Sequence, residues 1–195
     1  MDLNDLKQAS ALPEFSSEGK RQLLLLARRA IARQLKVRFD SDVPPPAPDS
    51  PLNQKIGAFV TLTIDGSLQG CIGHLIPHRP LHEEIGEIAI QSAIDDPRFM
   101  GLSADEFGNV KIEITLLGPF TTVKGVEDII IGRDGLLVQR RYNRGLLLPQ
   151  VATERNWDSV QFLSATCQKA GLPANQWRQG DVEIMTFTAI HFSED

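Results

Sequence analysis

The sequence predicts an α+β fold, with an antiparallel sheet built from hairpins and helices packed on it, as one domain or as a main domain plus a small subdomain. Segments with a two-residue hydrophobic period are joined by tight-turn signals such as Asp65-Gly66, which is typical of hairpins. Segments with a helical period occur at separate places in the chain and do not follow every strand. This distribution favours α+β over a doubly wound sheet.

Length and composition narrow the range of folds and functions further. A chain of 195 residues with 42% hydrophobic and 23% charged residues suits a single globular domain over 1–195. Its net charge of −5 argues against nucleic acid as a partner. Two cysteines provide no disulfide framework, and no apolar segment has the length of a spanning helix or the order of a signal peptide. We expect a cytoplasmic protein without membrane attachment.

The first element is a basic amphipathic helix over 16–38. Leu24, Ala27, Ile31 and Leu35 share one face, and Ser16 or Ser17 suits the N-cap. We interpret the charged face as solvated, with phosphate or RNA binding as a weaker alternative. Its seven cations are Lys20, Arg21, Arg28, Arg29, Arg33, Lys36 and Arg38.

A proline-rich loop over 40–52 follows the helix. Five prolines within Asp40–Pro51 remove backbone donors and fix φ, so the segment is extended. We interpret it as a connector, and the alternative is a polyproline ligand for a partner.

Hairpins and helices fill 57–192. Alternation over Phe59–Ile64, the turn Asp65-Gly66 and a return over Ser67–Gly73 form the first hairpin. A helix over Pro80–Ile94 ends where Asp96 precedes a proline. The later elements are a strand Val110–Leu116, a hairpin of Ile129–Ile131 with Leu136–Arg140, a turn at Arg140–Asn143 into Leu146–Leu148, a helix Ser159–Ala170 capped by Asp158 and Gln161 and stopped by Gly171, and a strand Val182–Ile190.

Several common catalytic motifs are absent from the sequence. There is no G-x-G-x-x-G, G-x-x-x-x-G-K-[ST], H-E-x-x-H, C-x-x-C or G-x-S-x-G. These absences disfavour dinucleotide enzymes, P-loop NTPases, zincins, thioredoxin-like proteins and α/β-hydrolases. We expect no cofactor.

The most unusual local sequence surrounds Cys71, which lies among Gly66, Gly70 and Gly73. Glycines leave the backbone open to close approach, and a thiol becomes a nucleophile when a nearby positive charge or base lowers its pKa. His74 is a candidate for that base. Arg98 is a candidate source of positive charge if its loop folds back over the site. The alternative is a small, inert, buried residue.

A zinc site is a second way to interpret the same segment. Cys71, His74, His78 and His82 are suitable ligand types. Pro77 and Pro80 interrupt the segment, so the histidines do not share one helical face, and we expect no metal site. The other cysteine, Cys167, and the two tryptophans, Trp157 and Trp177, are expected in the core.

The assembled motifs resemble the AMMECR domain family, called system protein A where it accompanies a Memo-like protein and a radical SAM enzyme (the AmmeMemoRadiSam system). The resemblance implies an α+β fold and these two partners, and much less about the reaction. In this chain Gln69 stands where the family's hexapeptide has arginine, so an anionic ligand of the family would lack that cation here. The matching segments are Phe59–Leu62, Leu68–Gly73, Asp96–Phe99, Gly145–Val151, Trp157, Phe162-Leu163 and Cys167–Leu172.

Two functional hypotheses follow. In the first, the protein is an enzyme or enzyme component: Cys71 is the reactive thiol, the N–H groups of Gly70 and Gly73 face a developing oxyanion, and Asp96 and Arg98 position the substrate. The predicted binding set is completed by Gln69, Ile72 and Gln150. In the second, the protein is a non-catalytic adaptor whose glycine hairpin and Leu146–Pro149 segment bind a peptide or partner protein.

Overall fold

The computed structural model describes residues 11–194, so the predicted domain 1–195 extends past it at both ends. Six strands hydrogen-bond in the order β2-β1-β3-β6-β4-β5. They are β1 Ala58–Ile64, β2 Ser67–His74, β3 Lys111–Val123, β4 Asp134–Arg140, β5 Asn143–Leu147 and β6 Glu183–Ser193. The described residues also form four α-helices: α1 Ser17–Leu35, α2 Leu81–Ile94, α3 Pro149–Glu154 and α4 Ser159–Lys169. The α+β prediction is confirmed.

The described chain divides into two compact units. The larger unit comprises 12–117 with 190–194, and the smaller unit comprises 118–189. Strand β1 pairs antiparallel with β2 and β3, and β4 pairs antiparallel with β5 and β6. No helix among residues 11–194 is long and apolar enough to cross a membrane.

Helix α1 begins and ends on local signals. The Ser16 hydroxyl accepts the N–H of Gly19 at 3.1 Å, which satisfies one of the free N-terminal donors. The helix ends at Leu35, before the predicted Arg38, because Lys36 takes a left-handed φ of 57° and Val37 N–H bonds back to Ala32 O at 2.9 Å.

Helices α1 and α2 form the core of the larger unit with one face of its strands. Val60, Leu62, Ile85 and Ile31 are fully buried in a single apolar cluster. Pro80, predicted as the first helical residue, is the N-cap of α2, because its ψ of 147° is extended. The alternate residues of β1 are partly exposed, in keeping with the predicted two-residue period.

The smaller unit confirms one predicted element closely. Asp158 Oδ1 accepts the N–H of Gln161 at 2.8 Å, and Gln161 Oε1 accepts the N–H of Asp158 at 3.0 Å. This is the predicted capping box of α4, and Gly171 follows with a φ of 72°. Phe162 and Cys167 of α4 are buried in the core of this unit.

The predicted hairpin of Ile129–Ile131 with Leu136–Arg140 is wrong. The segment before β4 is a 3-10 turn, Val126–Asp128, and a further turn in which Asp134 N–H bonds to Ile130 O at 2.9 Å. The Asp134 carboxylate also accepts Ile130 N–H at 2.8 Å, which holds this segment in a turn. Strand β4 pairs with β5 and β6.

Candidate functional site

Strand β2 lies at one end of the strand order and approaches helix α2 very closely. A Cβ placed on Gly70 would lie 1.9 Å from the backbone oxygen of Ser92, so only glycine fits here. The Ser92 hydroxyl donates to Val60 O at 2.9 Å and accepts the N–H of Ile72 at 3.0 Å. One buried hydroxyl therefore bridges β1 and β2 and fixes both to α2.

The backbone of Cys71 is held by the loop that follows α2. Its N–H donates to Asp96 Oδ2 at 2.8 Å, and its carbonyl accepts from Arg98 Nη2 at 3.0 Å. The two side chains also pair with each other, through Nε to Oδ1 at 2.9 Å and Nη2 to Oδ2 at 2.6 Å. We call this arrangement the Asp96–Arg98 clamp. It occupies both outward backbone groups of Cys71, so another strand cannot add to β2 at this position.

The two charged side chains of the clamp differ in burial. The Asp96 side chain is 3% exposed, whereas the Arg98 side chain is 48% exposed. The hydrogen bond from Arg98 holds the pKa of Asp96 well below its usual range, although burial opposes this, and the Cys71 N–H adds to the lowering. The pKa of Arg98 is raised, first by its hydrogen bond to Asp96 and to a lesser degree by the nearby Cys71 thiol. The clamp is therefore fully charged at neutral pH.

The thiol itself lies on the sheet face away from α2. Cys71 is a free, partly exposed cysteine whose sulfur accepts a hydrogen bond from Thr61 Oγ1 at 3.3 Å. On the same face, the Phe59 ring covers Gly73, where a Cβ would lie 2.3 Å from a ring carbon. Cys167, by contrast, is buried in α4, and burial raises the pKa of its thiol.

His74 is directed away from the thiol. Its Nδ1 lies 2.6 Å from Glu84 Oε1 and its Nε2 lies 3.0 Å from Gln91 Oε1, both on α2. Residues three apart on a strand point to opposite faces, so the predicted pairing of His74 with Cys71 as base and nucleophile does not form. Glu84 is buried, which opposes its ionisation, but the hydrogen bond and charge of His74 lower its pKa overall.

The other predicted residues are distributed differently. Gly70 and Gly73 are also three apart, so their N–H groups point to opposite sides of β2 and do not converge on one oxyanion. Gln69 is the extra residue of a bulge, since Leu62 pairs with Gly70 and Thr63 with Leu68. Gln150 belongs to α3 of the smaller unit.

The histidine-rich segment holds no metal cluster. His82 Nδ1 lies 3.0 Å from Leu52 O, within the larger unit. Among residues 11–194, no three His, Cys, Asp or Glu side chains gather as a metal would require.

Thr61 and Ser92 are the site residues that the sequence analysis missed. Counting back from the Asp65-Gly66 turn pairs Thr61 with Gly70. The bulge at Gln69 shifts the register by one, so Thr61 pairs with Cys71. A one-residue bulge gives no clear sequence signal. Ser92 had such a signal, because it shares the apolar face of α2 yet carries a hydroxyl that needs a partner.

The comparisons with known proteins agree on one family. The AMMECR1 family model matches residues 24–192. Protein PF1979 of Pyrococcus furiosus is 40% identical over 183 residues, covering 89% of this chain and 87% of that protein. Protein MK0488 of Methanopyrus kandleri is 42% identical over 182 residues, with the same two coverages. The crystal structure titled as uncharacterized protein PH0010 from Pyrococcus horikoshii superposes with a TM-score of 0.79 at 41% identity, covering 89% of this chain and 90% of that one.

Proposed function

Because this chain belongs to the AMMECR1 family, we propose that it is a component of a modification reaction in which Cys71 is the reactive thiol and a Memo-like protein and a radical SAM enzyme are its partners. The observation that carries the proposal is the Asp96–Arg98 clamp on the backbone of Cys71. It fixes the strand at Cys71 and places a guanidinium beside this partly exposed cysteine.

Two polar groups surround the sulfur of Cys71. Thr61 donates a hydrogen bond to Sγ at 3.3 Å, and the half-exposed Arg98 supplies positive charge. A hydrogen-bond donor and a cation beside a partly exposed cysteine are the surroundings in which reactive thiols occur. The buried Asp96 carboxylate carries the opposite charge and accepts two hydrogen bonds from the same guanidinium.

The chemical step is a displacement at an electrophilic carbon. The thiolate of Cys71 forms a bond to that carbon, and the bond to the leaving group breaks, with the electron pair departing on the leaving group. The thiol proton goes to solvent, because both ring nitrogens of His74 are occupied by α2. A second displacement by the acceptor frees the thiol, so Cys71 acts as a covalent carrier.

A reconstituted reaction with both partners tests this proposal. Cys71→Ser is expected to abolish product formation, while Cys167→Ser, which removes the buried thiol of α4, leaves the product rate within about twofold. The product is followed by mass spectrometry, which also detects any adduct on Cys71. Full activity of Cys71→Ser would exclude the thiol from the reaction.

An adaptor role is the second candidate, and one surface feature favours it. Tyr142 is fully exposed at the turn between β4 and β5, where Arg141 takes a φ of 55°. Tyrosine and arginine are enriched at the energetic centres of protein interfaces. If this turn is the functional surface, Tyr142→Ser weakens capture of the two partners while Cys71→Ser does not.

The basic face of α1 supports neither RNA nor phosphate binding strongly. Of the seven cations predicted for the helix over 16–38, three form ion pairs: Arg21 with Glu18 at 2.9 Å, Arg28 with Glu194, and Arg38, which lies beyond the end of α1, with Asp40. The net charge of −5 adds to this argument.

A further inference from the structure

The Asp96–Arg98 clamp also has an orientation, with its anion buried and its cation facing solvent. Asp96 is 3% exposed and accepts from both Arg98 and the N–H of Cys71. The Arg98 guanidinium is 48% exposed and is held from three sides: by Asp96, by the carbonyl of Cys71, and by the Phe99 ring 5.3 Å from its centre. Of the two charges, solvent therefore meets the positive one.

One nitrogen of the guanidinium lies outside the bonds that hold the clamp together. Nε and Nη2 make the bonds to Asp96 and to the Cys71 carbonyl. Nη1 takes no part in those bonds, and its two N–H groups suit a carboxylate oxygen. Because the guanidinium is already fixed, binding an anion there costs little further side-chain entropy.

We propose that the substrate of Cys71 carries a carboxylate close to its electrophilic carbon, and that Arg98 binds this carboxylate through Nη1 during attack by the thiolate. The inference rests on the proposed function, since it assigns the substrate class of the same site. The sulfur–carbon bond forms and the leaving group departs with its electron pair, while the carboxylate stays unchanged on Arg98.

Two further charges belong to the surroundings. Asp95 is exposed on the same loop and opposes an anion. Glu113 lies across β1 from Cys71, about 10 Å away by strand spacing, and its charge is shared with His191 at 3.2 Å. We therefore choose Asp95, which stands three residues before Arg98 in the sequence, as the negative charge whose removal should strengthen the preference.

Iodoacetate and iodoacetamide provide a direct test, because the two reagents alkylate thiols by the same displacement and differ in one charged group. The rate at Cys71 with each reagent is measured by mass spectrometry in the folded protein, and their ratio is divided by the ratio for the urea-unfolded chain. We expect the normalised preference for iodoacetate to be about three- to tenfold at low salt and to fall as ionic strength rises.

Matched variants show which residue causes the preference for iodoacetate. Arg98→Gln should return the normalised ratio to about one, and Asp95→Asn should raise it. Arg133→Gln is the control, because Arg133 is likewise half exposed and pairs with a buried aspartate, Asp134, in the smaller unit. The control should leave the ratio unchanged. If Arg98→Gln fails to fold, the salt dependence of the iodoacetate preference in the unsubstituted protein decides whether the preference is electrostatic.

The outcomes separate the two proposals. If Cys71 reacts with neither reagent, the proposed function fails, and this inference fails with it. If Cys71 reacts with iodoacetamide but shows no preference for iodoacetate, or a preference that salt and Arg98→Gln do not change, the substrate class is overturned while the reactive thiol survives.

Discussion

The contact between Gly70 and Ser92 allows a substitution that tests how the site is built. In Gly70→Ala the new Cβ would lie 1.9 Å from Ser92 O and 2.9 Å from Ser92 C, both backbone atoms of α2. No side chain can move to relieve this overlap. Either β2 or the whole turn of α2 must shift by more than 1 Å.

The magnitude follows from what that shift disrupts. Overpacking a buried contact costs roughly 1–3 kcal/mol. The hydrogen bonds that Ser92 makes to Ile72 and Val60 depend on the same approach, and each contributes about 1 kcal/mol. We therefore expect Gly70→Ala to lower the free energy of unfolding by about 2–4 kcal/mol.

Urea unfolding followed by circular dichroism measures this loss as a lower midpoint, by about 1–2 M for a slope near 2 kcal/mol/M. Gly108→Ala is the control, because nothing lies within 4 Å of its added Cβ and its φ lies outside the left-handed region. That variant should stay within about 0.5 kcal/mol of the unsubstituted protein. Equal stability of the two variants would refute the close approach of β2 to α2.

Three further predictions concern the charged and hydroxyl groups. Asp96→Asn should lower stability by about 1–2 kcal/mol at neutral pH. Because the pKa of Asp96 is depressed in the folded protein, the stability difference between the variant and the unsubstituted protein should persist above pH 5 and shrink below about pH 4. Urea titrations at several pH values measure this difference, and a difference that grows in acid would contradict a charged, hydrogen-bonded Asp96. Arg28→Gln should lower the free energy of unfolding, measured by thermal unfolding, by about 2–3 kcal/mol, because the Arg28 guanidinium binds Glu194 and the carbonyls of Phe107 and Val110. A loss under about 0.5 kcal/mol would show that Arg28 has only a surface role. Thr61→Val should slow alkylation of Cys71 about two- to fivefold at pH 7 without loss of stability, and an unchanged rate would remove Thr61 from the site.

Local signals carried much of the fold prediction. The capping box of Asp158 and Gln161, the stop at Gly171 and the turn at Asp65-Gly66 each act within four residues, so the sequence specifies them directly. The strand predicted at Ile129–Ile131 is wrong. Three β-branched residues predict a strand, whereas the buried Asp134 carboxylate holds the segment in a turn. That contact depends on tertiary burial, which periodicity does not report.

The candidate site was predictable only in part. The glycines around Cys71 indicated a close backbone approach, and the fold-back of Arg98 onto the cysteine was anticipated as a condition. The place of His74 follows from strand alternation and was available to sequence reasoning. The pairing of Thr61 with Cys71 could not be predicted from the sequence, because the bulge at Gln69 changes the register by one residue.

The most direct test of the reactive thiol is alkylation by iodoacetamide as a function of pH in the folded protein, with Cys71 and Cys167 read separately by mass spectrometry. We expect Cys71 to react at pH 7 faster than a cysteine of the unfolded chain. We also expect Arg98→Gln to slow this reaction, and Cys167 to react only on unfolding. A Cys71 as unreactive as Cys167 until the protein unfolds would show that the thiol is structural.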